Sequence, residues 1–212
     1  MSLSLFRMAA DNTDPASLSS RLRRRRFECF RALLRVGAQD RILDVGGTAG
    51  TWFGSGLEEQ VTILNIEHRE TVAPFRYVAA DACAMDFPDG AFDVVFSNSV
   101  IEHVGDATRQ RRFASEVQRV APRHWVQTPW KHFPIEPHLL FPFFQYLPAP
   151  AQRAVALHWK YSHFQRNGHD VLRELSRLRL LTRRELTALF PASRVLFERM
   201  LGIPKSLVAV RT

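Results

Sequence analysis

Two cysteines in 212 residues, Cys29 and Cys83, exclude a disulfide framework and offer no metal-ligand spacing. No apolar run approaches the roughly 18 residues that a membrane-crossing helix needs. The opening stretch MSLSLFRMAADNTD has no signal-peptide apolar core, so a reducing, cytoplasmic setting is expected. Internal repeats are absent. Acids are outnumbered, 21 against 29 bases, which gives a net charge of +8 and a pI near 10.4. Almost all of the excess is arginine. It suits an acidic partner (nucleic acid, an anionic lipid surface or a phosphorylated substrate) or simply a solvated surface, and composition does not choose among them. With 46% hydrophobic and 24% charged residues, one α/β domain with a sizeable core is expected.

What the chain does have is Arg41–Gly50, RILDVGGTAG. The apolar run Ile42, Leu43, Val45 ends in an acid and the glycines Gly46, Gly47 and Gly50, which predicts a buried strand entering a tight turn. Glycine there lets a ligand meet bare backbone. The next apolar run, Val61–Ile66, ends in Glu67, an acid about 20 residues on, where a ribose-binding carboxylate stands in nucleoside-binding sheets. The turn reads D-x-G-G-x-x-G, a poor match to the dinucleotide spacing G-x-G-x-x-G, which argues against a nicotinamide-linked oxidoreductase.

Along the chain, Met1–Ser20 reads as a flexible N-terminus and 21–212 as one domain. Arg21–Val36 has helical spacing (Phe27, Phe30, Leu34), with the run Arg23–Arg26 on it and Gly37 as its closing residue. Strands are predicted at Ile42–Val45, Val61–Ile66, Tyr77–Ala80, Phe92–Asn98 and His124–Gln127. Helices are predicted at Thr51–Leu57, Arg109–Ala121 and Thr182–Phe190, the last with Thr182 as N-cap. Alternating strands and helices imply a parallel sheet whose ligands bind outside the strands' carboxyl ends. Gly46, Glu67, Asp81 and Asn98 would then share one rim. The aromatic, proline- and histidine-rich stretch from Trp130 to about residue 170 is too long for a plain connection and reads as an inserted cap. Val195–Leu201 and Leu207–Val210 flank Gly202-Ile203-Pro204 as a closing hairpin.

The order LDVGGTAG, NIE, AADACAMDF, FDVVFSNSVIEHV resembles the class I S-adenosylmethionine (SAM) methyltransferases of the type 11 branch, strongly over Arg41–Thr128. Thr48 stands where that family has its middle glycine. The resemblance implies a Rossmann-like, seven-stranded, mostly parallel sheet with helices on both faces and an antiparallel strand seven. It implies SAM as cofactor and S-adenosylhomocysteine as product. Asp44, Gly46, Gly47 and Gly50 would form the cofactor turn, and Glu67 would take the ribose hydroxyls. Asp81 and Ala82 would meet the adenine, and Asn98 would offer its backbone near the amino-acid portion. The chain lacks the Asn/Asp-Pro-Pro-aromatic run of base-nitrogen enzymes and a Pro-Cys for attack on pyrimidines.

For the acceptor, W-K-H-F-P-I-E-P-H supplies Trp130, His132, Glu136 and His138 on a stretch stiffened by Pro134 and Pro137. A histidine suits the general base for a hydroxyl; the candidates are His138, then His132 and His103. Glu102, Trp130, Glu136, Phe141 and Tyr146 are candidate acceptor contacts, with Phe141, Phe143, Phe144 and Tyr146 an apolar wall. Trp159-Lys160-Tyr161 with His158, His163 and Arg166 forms a basic-aromatic cluster. No metal site is expected, because the spacing of His132, Glu136 and His138 matches no metal signature. The expected activity is O-methylation of a small metabolite or a glycan- or lipid-linked acceptor. The alternative is an RNA methyltransferase or nucleic-acid-binding protein on the same fold.

Overall fold

The structure is a computed structural model that describes residues 18–66, 72–136, 138–159, 170–200 and 202–212. Contacts divide the chain into a unit up to Gly37, with Thr212, and a second unit from Ala38 to Arg211. In the first unit, helix α1 spans Leu18–Leu34 with Arg31 in its last turn. The residue that takes the left-handed conformation closing it is Arg35 (φ 49°), not Gly37. The Val36 N–H then bonds the Arg31 carbonyl at 3.1 Å, the six-to-one bond of a Schellman ending.

The second unit is built on a seven-stranded sheet: β1 (Ile42–Val45), β2 (Val61–Asn65), β3 (Arg76–Ala79), β4 (Val94–Asn98), β5 (Arg123–Pro129), β8 (Arg194–Met200) and β9 (Ile203–Arg211). Its order is β3-β2-β1-β4-β5-β9-β8. The first five strands are parallel, and β9 runs antiparallel to both β5 and β8. The order reverses beside β1, so the strand ends there flank the crevice where α/β sheets bind ligands. β1 is buried on both faces. Leu43, Val45, Leu64, Val95 and Val126 point to one side, into the core that takes Phe113 and Val117 of α2 (Ala107–Val120) and Leu186 of α5 (Arg183–Leu189). On the other side, Trp52 stacks edge-on against Phe96 at 5.5 Å.

Local chemistry explains the element ends. Asp106 accepts the Arg109 N–H at 2.9 Å and starts α2 two residues before the predicted helix. Thr182 and Glu185 form a reciprocal capping box on α5. The helix predicted over Thr51–Leu57 is absent. A 3-10 turn, Ala49–Thr51, and loops with Gly54 and Gly56 at φ 76° and 73° take its place. Positive φ at two glycines breaks the helical backbone.

The stretch after β5 folds on itself. Its two-stranded ladder pairs β6 (Ile135–Glu136) with β7 (Phe141–Pro142) through Leu140 at φ 54°. Helices α3 (Ala149–His158) and α4 (Val171–Arg177) follow. Leu139, Phe144, Ala156 and Val171 give this cap its own small core. Lys160, Tyr161, His163 and Arg166 lie outside the described residues, as do Glu67, Pro137 and 1–17. No helix among the described residues is long and apolar enough to cross a membrane.

Candidate active site

The glycine turn is packed around a carboxylate. Asp44 is 1% exposed, and its Oδ2 accepts the Trp52 indole N–H at 2.7 Å. Its Oδ1 has no hydrogen-bond partner, and burial pushes its pKa up to about 7. A Cβ at Gly47 would fall 1.7 Å from Asp44 Oδ2. Gly46 sits at φ +75°, its N–H held by the Leu64 carbonyl at 2.7 Å, and a Cβ there would meet Val100 Cγ2 at 2.5 Å.

A cavity of about 600 Å³ opens at the carboxyl ends of β1 to β4, where Gly46, Ile66, Asp81, Ala82, Ser99 and His103 line it. The volume lies in the usual range of small-molecule sites, ~300–1,000 Å³. Ser99 adopts φ 57°, unusual for a side chain with a Cβ, and is held by Gln127 through its N–H (3.0 Å) and its hydroxyl (3.1 Å). These residues fit an adenosyl ligand: bare backbone under one end and a carboxylate at the other.

That carboxylate is already engaged. Asp81 accepts Arg109 Nη2 at 2.8 and 2.9 Å and the Cys83 N–H at 2.9 Å. Burial works against its charge, but Arg109 and the Cys83 amide outweigh it and hold its pKa below the usual carboxylate range. Arg109 is in turn fixed by the Val104 carbonyl at 2.6 Å and lines the cavity, as does Arg177 at the end of α4.

The cap brings a second constellation. His138 Nε2 lies 3.0 Å from His103 Nε2, and His138 Nδ1 lies 2.6 Å from Glu136 Oε1. Glu136 is buried, and its Oε2 also accepts the N–H groups of His138 and Leu139 at 2.9 and 2.7 Å. A carboxylate only accepts, so His138 Nδ1 carries the proton, and one hydrogen is shared between the facing Nε2 atoms. Burial disfavours the His138 imidazolium, yet Glu136, with Glu102 and Glu174, overcomes it and raises the pKa. Glu102 is fully buried and takes the Thr128 hydroxyl at 2.9 Å, while burial raises its pKa.

The structure thus joins His103 and His138, 35 residues apart, and sets Glu102 and Glu136 beside them. His132 is elsewhere: its Nδ1 bonds the Tyr146 hydroxyl at 2.6 Å, and its ring packs on Trp130. Phe141 packs against Phe144 and Trp159 inside the cap, and Tyr146 is exposed. Asp44, Gly47, Gly50 and Asn98 support the rim without lining the cavity. Ser99, Arg109 and Arg177 line it and were not anticipated. Only Arg109 left a signal, as a cation on the predicted helix after the fourth strand.

Two buried groups set opposite pH dependences. Folded Asp44 holds its proton up to about pH 7, but the unfolded residue only below about pH 4. Its contribution therefore raises stability as pH falls from 7 to 4. His124, bonded to Ser193 Oγ at 2.8 Å, has its pKa pushed to about 4 by burial and then by Arg211. Its unfolded form takes a proton below about pH 6.5, so its contribution falls over the same window. In the parent the two offset each other. Asp44→Asn is expected to lose about 3 kcal/mol relative to the parent between pH 7 and pH 4 in urea unfolding. Parallel curves would show that Asp44 does not titrate there.

Residues 55–123 match the family model described as a methyltransferase domain. Solved structures share the fold. The chain is similar to 1,6-didemethyltoxoflavin-N1-methyltransferase of Burkholderia thailandensis, crystallised with 1,6-didemethyltoxoflavin and S-adenosylhomocysteine (18% identity, 94% of this chain and 80% of that one, TM-score 0.56). It is also similar to the N-methyltransferase NodS of Bradyrhizobium japonicum with S-adenosylhomocysteine (18%, 99% and 96%, TM-score 0.51). A third is magnesium protoporphyrin IX methyltransferase of Synechocystis with bound SAM (11%, 99% and 90%, TM-score 0.52). A search of curated proteins gave no match. Over residues 55–123 the chain thus resembles a methyltransferase domain, and its seven-stranded sheet has the fold of methyltransferases crystallised with SAM or S-adenosylhomocysteine.

Proposed function

We propose that the protein O-methylates a small acidic acceptor, free or carried on a glycan or lipid, with His103 as general base. The observation that carries this reading is His103 on the cavity wall, backed by His138 and the buried Glu136. A neutral amine brings its own lone pair, whereas a hydroxyl must lose a proton as it attacks. A paired imidazole at the acceptor end therefore favours oxygen over nitrogen.

SAM, when bound, supplies an electrophilic methyl group on a sulfonium. Gly46 gives it backbone to lie against, and Asp81 keeps acceptor lone pairs for the adenine amine despite Arg109. Glu67, outside the described residues, is proposed for the ribose hydroxyls. Ser99 and Val100 line the same cavity as Gly46 and His103. His103 receives the hydroxyl proton and shares it with His138, whose orientation Glu136 fixes. Arg177 draws an anionic group on the acceptor.

Calorimetric titration with S-adenosylhomocysteine tests the cofactor half: one site per chain is expected, weakened at least tenfold by Glu67→Ala. No binding at 1 mM would overturn it. Transfer of tritiated methyl from SAM to a panel of phenols, hydroxy acids and amines tests the acceptor half. Labelled amines with unlabelled hydroxyl compounds would reverse the oxygen assignment.

A further inference from the structure

We propose that Glu102, His103 and His138 form a binding site for one first-row divalent transition-metal ion of the Zn²⁺ or Fe²⁺ kind. One donor atom from each of the three lies within 4.8 Å of the others. The two imidazole nitrogens face each other at 3.0 Å. Donors about 2.1 Å from one ion in a tetrahedral shell stand about 3.4 Å apart, so a slight opening of the pair admits an ion.

Three further observations point to a ligand. Glu102 is fully buried, and its Oε1 has no hydrogen-bond partner, a costly state for a carboxylate that a cation would relieve. The supporting contacts of a metal site are already in place. His138 Nδ1 bonds Glu136 at 2.6 Å, the carboxylate–histidine arrangement that orients a ligating imidazole, and Thr128 holds Glu102 Oε2 at 2.9 Å. His103 lines the cavity, so open coordination positions would face the acceptor. Two imidazoles and one carboxylate select a borderline transition metal over Mg²⁺ or Ca²⁺.

The ion would replace the hydrogen shared by the two rings. The metal-free pair is then the base described above, and the loaded site holds an acceptor oxygen by charge instead. The site rests on the placement of these three side chains, and only its role toward the acceptor rests on the function proposed above.

The experiment is a Co²⁺ titration of chelator-stripped full-length protein, read by visible absorption, with Zn²⁺ as competitor. One Co²⁺ per chain is expected, displaced by Zn²⁺. His103→Gln, His138→Gln and Glu102→Gln should each weaken uptake at least tenfold. S-adenosylhomocysteine titration of each variant reports whether it is folded. Absence of stoichiometric uptake, or uptake unchanged by all three variants, would overturn the site. The methyltransferase reading fails separately, by loss of S-adenosylhomocysteine binding in the parent.

Discussion

Gly47→Ala is expected to destabilise the protein by about 3 kcal/mol or more, read as a lower urea midpoint. The added Cβ would fall 1.7, 2.1 and 2.3 Å from Asp44 Oδ2, Cγ and Oδ1. Asp44 has no room to give: it is buried, and moving it breaks the 2.7 Å bond from Trp52. Separating the two leaves a second unsatisfied oxygen and an indole N–H without its acceptor, each a cost of about 1–3 kcal/mol. The same shift moves the backbone beneath the cavity, so S-adenosylhomocysteine affinity is expected to fall with stability. Gly50→Ala is the matched control. Its Cβ would have Thr48 Oγ1 at 3.9 Å as the nearest atom, an ordinary contact, and stability should stay within about 0.5 kcal/mol. Equal losses in both variants would place the cost in backbone conformation and not in the Asp44 contact.

His103→Ala is expected to slow methyl transfer by roughly 10²–10⁴-fold on a hydroxyl acceptor in chelator-treated protein, with S-adenosylhomocysteine affinity preserved. The residue reaches the cavity, and without it no imidazole among the described residues lines that wall. His138→Ala should lose a large part of the same factor, because the shared hydrogen and the Glu136 anchor disappear together. His132→Ala is the discriminating variant. Its ring is paired with Tyr146 in the cap, so transfer should be unaffected. A fall equal to that of His103→Ala would move the base to the cap surface.

Much of the frame was legible locally. Ile42–Val45 is the strand predicted, because an apolar run ending in acid and glycines has few alternatives. Thr182 caps its helix as expected, through a bond three residues long. The closing hairpin turns at Gly202 (φ 82°), where the sequence breaks two strand-like runs. Misreadings arose where short-range signals compete. The helix expected to follow the glycine turn over Thr51–Leu57 lost to two further glycines, and Arg35 took the left-handed position assigned to Gly37. Within the cap, Glu136 gathers the N–H groups of His138 and Leu139, a contact that the proline spacing does not encode.

Strand rhythm, the glycine turn, the strand-end carboxylate Asp81 and the closing hairpin could all be read along the chain, because each depends on side-chain period or turn chemistry within a few residues. Folding was needed to pair Asp81 with Arg109, 28 positions on, and His103 with His138, 35 positions on. The same folding buries Glu102 beside them. Those partners lie on separate connections crossing one rim, and where such connections meet is set by sheet order and cap packing, which spacing along the chain does not encode.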